Sequence, residues 1–577
     1  MRLRTLLSLA IACLSVLVIT STLSAAPAYP VKVGPTGRYL VDQNGAPFLI
    51  VGDSPQSMIG RLSEADAELY FAHRQALGFN TVWINLLCAS YIGCNPDGST
   101  FDGIPPFNVP GDLTTPNEAY FARVDAILRL AASYGLLVIL NPAETGDWLA
   151  VLYANGEDNC RAYGQFLGQR YAGFDNILWM HGNDYQDWGP DNDRFTTALA
   201  RGIRDFDSRH LHTVELNFFL SSSTDDPLWA PLIDLNAAYS YDPVYAEVLK
   251  DYNRGDFPVF LVETGYEFEF GGLPRIVRAQ AYWAMLSGAA GQLYGSRYTW
   301  QFLEEWRDTL NSGGAMAMGH LAALFQSRPW YDLVPDQDHS VVTSGLGDFG
   351  SYEYVTAART PDGRLVIVYV PTTRSITVDM SRMSGPAIAR WFDPVAGIFI
   401  DISGSALPNS GLVEFTTPGD NEDGPGSDDW VLVLEASSGS ASSFIEFTIP
   451  FETYRPGSQL DVSLKAFNGV QSSRELYAGV LGPDGQTIVY FTGSNVIGGV
   501  ATAGSLGDLR PLALVAPGQL LTLSDSNPLL AGAIPDGVPP GVYTWFAFLV
   551  APGAVPHDLS ALGDGEIVAL RTVTLLP

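Results

Sequence analysis

The chain has 577 residues, 47% hydrophobic and 16% charged, which describes a globular protein with core enough for several domains, not a disordered one. Its net charge is −31, with 31 Lys and Arg against 62 Asp and Glu, which argues against nucleic acid or an anionic membrane as a partner. The acidic surface itself reads as a solubility feature.

Arg2 and Arg4 precede an apolar run at 6–19, followed by small residues up to Ala28. Residues 1–26 therefore read as a secretory signal peptide, too short for a membrane anchor and without a basic flank behind it. The expectation is a secreted or periplasmic protein with no membrane span in the mature chain. Cys13 falls within this segment, which leaves Cys88, Cys94 and Cys160. Cys88 and Cys94 are close enough for a local disulfide in an oxidising compartment, with Cys160 as a buried thiol.

From residue 30 to 332, strand-like and helix-like patterns alternate. Buried strands are expected at 49–53, 81–87, 136–141, 176–181, 213–215, 235–240, 259–263 and 291–295. The first helix, 63–77, carries the capping pair Ser63 and Asp66 and stops at Gly78. The second opens on Thr115 as cap with Pro116 in the first turn and runs to Tyr134. Further helices are expected at 158–171, 191–206, 243–252, 274–287 and 313–325. Eight strands alternating with helices over about 300 residues predict an α/β fold of the (β/α)8, or TIM, barrel type. A doubly wound sheet would want a Gly-rich loop after the first strand, and none is present. Beyond Trp330, short alternating strands separated by Gly, Pro and Asp turns predict a β-sandwich at 336–436. A Ser/Gly-rich linker at 437–443 leads to a second all-β sandwich domain at 444–577.

The polar residues at the strand ends are Asp53, Asn85, Asn141, Asp184, Glu215, Tyr241, Glu263 and Arg297. In a barrel these ends share the face that carries the chemistry. Carboxylates there, without a cofactor motif, fit glycoside hydrolysis, in which one carboxyl protonates the leaving oxygen and another attacks or activates water. Glu263 ends strand seven and Asp184 follows strand four, across the barrel, where Gly182 permits a tight turn. Asp187 competes for the second role. Glu267 and Glu269 lie beyond their strand and read as solvated. Trp148, Tyr185, Trp188, Tyr241, Tyr266, Tyr294 and Trp300 are the aromatic candidates for stacking on sugar, beside Asn85, Asn141 and Glu215 as polar contacts. A metal hydrolase is disfavoured. The one His-x-His pair, His210 and His212, precedes strand five, and the acidic run at 420–429 lacks the spacing of an EF-hand loop. No cofactor is expected.

The chain resembles the apiosidase-like glycosidases, glycoside hydrolase family 140, over residues 30–436. The resemblance rests on Gly52-Asp53, residues 179–184, 258–267 and 289–295, Trp300, and residues 327–330. It implies a (β/α)8 domain followed by a β-domain that carries a collagen-binding label, although residues 336–436 show no collagen-specific feature. It further implies Asp184 as acid/base, Glu263 as nucleophile and Asp53 as a sugar-binding residue. The family's Gly-Gly-Asp reads Gly182-Asn183-Asp184 here, and its histidine after strand five is replaced by Thr213-Val-Glu215-Leu-Asn217. The function this implies is a retaining glycoside hydrolase acting on side chains of plant or microbial polysaccharide. The alternative is a non-catalytic carbohydrate- or matrix-binding surface protein on the same barrel. In either case the C-terminal domains are candidates for contact with a glycan or a cell surface.

Overall fold

The computed structural model describes residues 27–577, except 404, 422–427, 437–443, 450–452, 469–472, 485–486, 493–499, 504–508, 516–518, 524–528, 551–566 and 577. The expected signal peptide and linker lie outside the described residues.

Eight parallel strands form the expected barrel: β1 (Ile50–Asp53), β2 (Thr81–Asn85), β3 (Leu137–Asn141), β4 (Ile177–Tyr185), β5 (His212–Leu216), β6 (Asn236–Ser240), β7 (Val259–Glu263) and β8 (Gly291–Tyr294). Parallel ladders join each neighbour from β5 back through β1 to β8 and on to β6. The β5–β6 seam is closed by a side chain instead. Ser223 Oγ donates to the Val214 carbonyl at 2.5 Å and accepts from Ala237 N at 2.9 Å. A short antiparallel strand, Leu220–Ser222, and two 3-10 turns occupy the β5–β6 connection, where a barrel helix would otherwise stand.

Strand residues divide by the period of two. Phe260, Val262, Trp83, Ile139, Met180 and Leu293 fill the barrel interior, while Val259, Leu261 and Val51 pack outward against helices. Leu40 and Phe48, from a small three-stranded sheet at residues 32–48, and Val31 just before it join the interior cluster and plug one end.

The surrounding helices are α1 (Glu64–Ala76), α2 (Glu118–Ser133), α3 (Thr145–Tyr171), α4 (Pro190–Arg204), α5 (Tyr245–Arg254), α6 (Pro274–Leu286) and α7 (Gly313–Gln326). Ser63 caps α1, accepting from Asp66 N at 3.2 Å. The cap of α2 is Asn117, not Thr115. Pro116 pairs in a β-bridge with Phe107, and Asn117 Oδ1 accepts from Ala119 N, so helical geometry starts two residues later than expected. The helix expected at 158–171 begins at Thr145 and breaks at Gly156, whose φ of 76° interrupts it.

The first β-domain is a sandwich. A six-stranded antiparallel sheet built around Leu365–Val370 and Trp430–Ala436 faces a three-stranded one across an apolar core. It shares a second core with the barrel. Tyr282 of α6 stacks on Tyr369 at 5.1 Å, and Tyr282, Trp283, Ile367, Val431 and Val433 belong to one buried cluster. Within that interface Arg278 binds Asp429 through two hydrogen bonds, of 2.7 and 2.8 Å, both side chains buried. The C-terminal region is again two sheets around an apolar core, antiparallel except where the edge strand Thr453–Tyr454 runs parallel to Ile567–Leu575, and Lys465 pairs with Asp401 of the preceding domain at 3.4 Å.

Candidate active site

A cleft of about 450 Å³ opens at the C-terminal ends of the barrel strands. Asp184 and Glu263 both line it, with Tyr241, Tyr266 and Gln56 on the walls. Tyr91, Glu269, Arg297, Trp300 and a fully exposed Phe270 form its rim.

Each carboxylate is aimed by an irregular strand end. Across the β6–β7 ladder, Ala238 pairs with Leu261 but Tyr239 pairs with Glu263, so β7 carries one extra residue. Strict alternation after Val262 would turn Glu263 out of the barrel, and the bulge re-aims it to the mouth. In the β4–β5 ladder Gly182 pairs with Glu215 and Tyr185 with Leu216, which leaves Asn183 and Asp184 as extra residues. Gly182, Asn183 and Asp184 have φ of 89°, 83° and 47°, three consecutive residues in left-handed conformation. The acid therefore lies inside a bulged β4, three residues beyond where the sequence pattern ended the strand.

Side chains hold that bulge in place. Asn85 Nδ2 donates to Asn183 Oδ1 at 2.8 Å, Asn141 Nδ2 to the Gly182 carbonyl at 3.1 Å, and Thr145 Oγ1 to the Asn183 carbonyl at 2.8 Å. Glu215 Oε2 lies 3.4 Å from Asp184 N and accepts from it. Asn85, Asn141 and Glu215 are thus buried supports of the acid, not walls of the cleft.

The two carboxyls meet on one atom. Tyr239 Oη is 2.9 Å from Asp184 Oδ1 and 2.8 Å from Glu263 Oε1. Tyr266 donates to the other Glu263 oxygen at 2.8 Å and accepts from Gln56 Nε2 at 3.0 Å. Burial, then the neighbouring Asp184, pushes Glu263 well above the usual carboxylate range, and the Tyr239 and Tyr266 hydroxyls oppose that rise. Burial also raises Asp184. Glu215 is raised well above its ordinary value by burial and by the charges of Glu263 and Asp184, which favours its neutral form. On the rim, burial raises Glu269, while its bond from Trp300 Nε1 at 2.7 Å works the other way.

Several expected sugar contacts have other work. Asp53 follows Val51 on the outer face of β1, where it accepts from Tyr70 Oη and Arg74 Nε, both at 2.5 Å. It is fully buried between strand and helix, away from the cleft. Tyr294, next to the inward Leu293, faces outward and bonds Glu267 and Ser312. Trp148, in the first turn of α3, is buried and donates to the Cys88 carbonyl at 3.1 Å, and Tyr185 is buried against Asp193 at 2.7 Å. Trp188 is half-buried and donates to Asn217 Oδ1. Tyr241, Tyr266 and Trp300 do line the cleft. Glu267 is not solvated. It is fully buried, accepting from Ser312 Oγ at 2.6 Å and from Gly314 N at 3.0 Å at the start of α7. Glu269 is likewise a cleft residue. Asp187 is exposed and stands outside the cleft. A disulfide joins Cys88 and Cys94, and Cys160 is a buried free thiol.

Tyr239 was not among the sequence candidates, although it lies on the same face of β6 as Tyr241, two residues on. Gln56, Tyr91 and Phe270 come from loops, where no periodicity marks them. Among the described residues no cluster of His, Cys, Asp and Glu fits a metal ion, and no helix is long and apolar enough to cross a membrane.

A (β/α)8 barrel with two carboxyls converging at its mouth, in an aromatic-rimmed cleft, is the active-site architecture of a glycoside hydrolase. The chain belongs to the apiosidase-like family: the sequence model described as "Apiosidase-like, catalytic domain" matches residues 35–332, and "Putative collagen-binding domain of a collagenase" matches 334–435. A solved glycoside hydrolase is 25% identical, with a TM-score of 0.62 over 71% of this chain and 97% of its own. A glycoside hydrolase family 5 protein from Bacteroides vulgatus has the same fold at 23% identity, with a TM-score of 0.61 over 70% of this chain and 93% of its own. No curated protein matches the chain in sequence.

Proposed function

We propose that this glycoside hydrolase is an exported, retaining enzyme that removes sugars from the side chains of plant or microbial polysaccharide, with Asp184 as acid/base and Glu263 as nucleophile. The observation that carries the assignment is the single Tyr239 hydroxyl between the two carboxyls. A hydroxyl has one proton to give, so two carboxylates cannot both accept from it. One carboxyl must be protonated and donate to the tyrosine oxygen. Glu263 also accepts from Tyr266, and two donors favour its anion. Burial and the neighbouring Asp184 work the other way on Glu263; we place the proton on Asp184 because that is the distribution a retaining enzyme needs for its first step.

Spacing supports the same reading. The nearest oxygens of the two carboxyls are each one hydrogen bond from Tyr239 Oη, so they stand no further apart than those two bonds end to end. That limit on the nearest oxygens is compatible with a retaining pair, whose carboxyls stand about 5–5.5 Å apart. In the first step Glu263 forms a bond to the anomeric carbon as the glycosidic C–O bond breaks, and the Asp184 proton passes to the departing oxygen. In the second, Asp184 takes a proton from water, whose oxygen displaces Glu263. Neutral Glu215 can hold the Asp184 amide without adding a negative charge to that of Glu263. Export rests on the basic-then-apolar pattern of residues 1–26.

The test is turnover across a panel of branched pectic and arabinan-type glycans. Glu263→Gln and Asp184→Asn should each lose on the order of 10³-fold or more in kcat on the glycan cleaved. Full turnover in either variant would refute the assignment. Binding across the panel without any product would instead favour a non-catalytic carbohydrate-binding protein.

A further inference from the structure

A second depression, of about 570 Å³, adjoins the cleft, and Asp184 is the one residue that lines both. It is formed by the start of α3 and the β4–α4 connection, with Leu149, Tyr153, Gln186, Asp187 and Asn192 on its walls. Glu263 is not among them. We infer that this depression is the leaving-group subsite and that its occupant is the glycan from which the terminal sugar is cut. The inference rests on the acid/base and nucleophile roles proposed above.

The argument is chemical. An acid that protonates the glycosidic oxygen touches the atom joining the departing sugar to the remainder of the glycan. The sugar attacked by Glu263 occupies the cleft that Glu263 lines, and the remainder must leave on the other side of that oxygen. The second depression is the space that Asp184 opens onto there. Its chemistry suits a sugar ring. Tyr153 is 58% exposed despite its size, with its ring fixed against Phe195 at a centroid distance of 5.0 Å. An anchored aromatic of this kind offers a face to the C–H side of a pyranose or furanose at little entropic cost. Gln186, Asp187 and Asn192 supply donors and acceptors for ring hydroxyls. A nitrophenyl group bound there in place of a sugar would use fewer of these contacts.

Tyr153→Ala separates the two substrate types. The probes are the branched pectic or arabinan oligosaccharide that the enzyme cleaves and the 4-nitrophenyl glycoside of the sugar it releases. The variant should lose at least tenfold more kcat/KM on the oligosaccharide than on the nitrophenyl glycoside, through KM. Tyr153→Phe, which keeps the ring, should recover most of that loss. An unchanged thermal unfolding midpoint for Tyr153→Ala shows that the exposed helix face tolerates the change. Equal losses on both substrates, no loss on either, or an enzyme that cleaves the nitrophenyl glycoside but no oligosaccharide would each overturn the inference. Failure of the underlying roles reads out separately, as turnover retained in Glu263→Gln.

Discussion

A Cβ placed on Gly182 would stand 2.0 Å from the carbonyl oxygen of Glu215. The contact brings β4 against β5 closely enough for the Glu215 carboxyl to reach the Asp184 amide, and only glycine allows it at a φ of 89°. Gly182→Ala should therefore shift the bulge that carries Asp184. Stability should fall by about 2 kcal/mol or more, from left-handed strain and overpacking together. Activity should fall by more than the unfolded fraction explains, as read by kcat on protein shown to be folded by circular dichroism.

Tyr239→Phe removes the hydroxyl that both carboxyls share. Its hydrogen bond favours the Glu263 carboxylate, so the loss should raise Glu263 further and move the acidic limb of the kcat/KM–pH profile to higher pH. A drop of about 10–100-fold at the optimum should accompany the shift. A profile that falls without moving would mean that Tyr239 serves only as packing.

His181 makes stability depend on pH. Burial, with Arg204 adding to it, lowers His181 from 6.5 to about 3, where it faces His212 across 3.1 Å and packs against Trp229. The folded-state value lies below the unfolded one, so between pH 6.5 and about 3 the unfolded chain binds the extra proton. Stability from this group is complete above pH 6.5 and drains as pH falls, by about 1.4 kcal/mol per pH unit. Urea unfolding of wild type and His181→Gln across this range should give a shallower slope for the variant, whatever its absolute stability.

The two domains on either side of residue 333 should unfold together. Asp429→Ala removes a buried ion pair and two hydrogen bonds from Arg278 and should cost about 3–5 kcal/mol. Replacing both members by apolar residues, as in Arg278→Met with Asp429→Leu, should recover most of it. Calorimetry of the wild type should show the barrel and first sandwich melting in one transition, because they share a core.

The barrel was legible because its strands are continuous apolar runs and several of its helices begin on a cap or a proline. Glu263 was visible as a charge at the tip of such a run, and Asp184 as an acid after a glycine. The lost detail lay in what each side chain faces. Asp53 and Tyr294 end their strands as a substrate contact would, yet both point outward, a distinction set by the inward positions of Gly52 and Leu293. Glu263 itself reaches the mouth only through a bulge that no local residue pattern announces. Glu267, read as solvated, is bound by a helix start 45 residues further along the chain. Asn85 and Asn141 sat at the right strand ends, but they grip the acid loop, through the Asn183 side chain and the Gly182 carbonyl. Such pairings follow from long-range register, which a local pattern does not encode.

The most direct test of the central claim is the stereochemistry of the first product. Proton NMR of the sugar released in the opening minutes, before mutarotation, reads the anomer that the enzyme makes. Double displacement through Glu263 with Asp184 as acid/base predicts the same anomeric configuration as in the substrate. Release of the opposite anomer would mean that the two carboxyls enclose a water and that Glu263 is not a nucleophile.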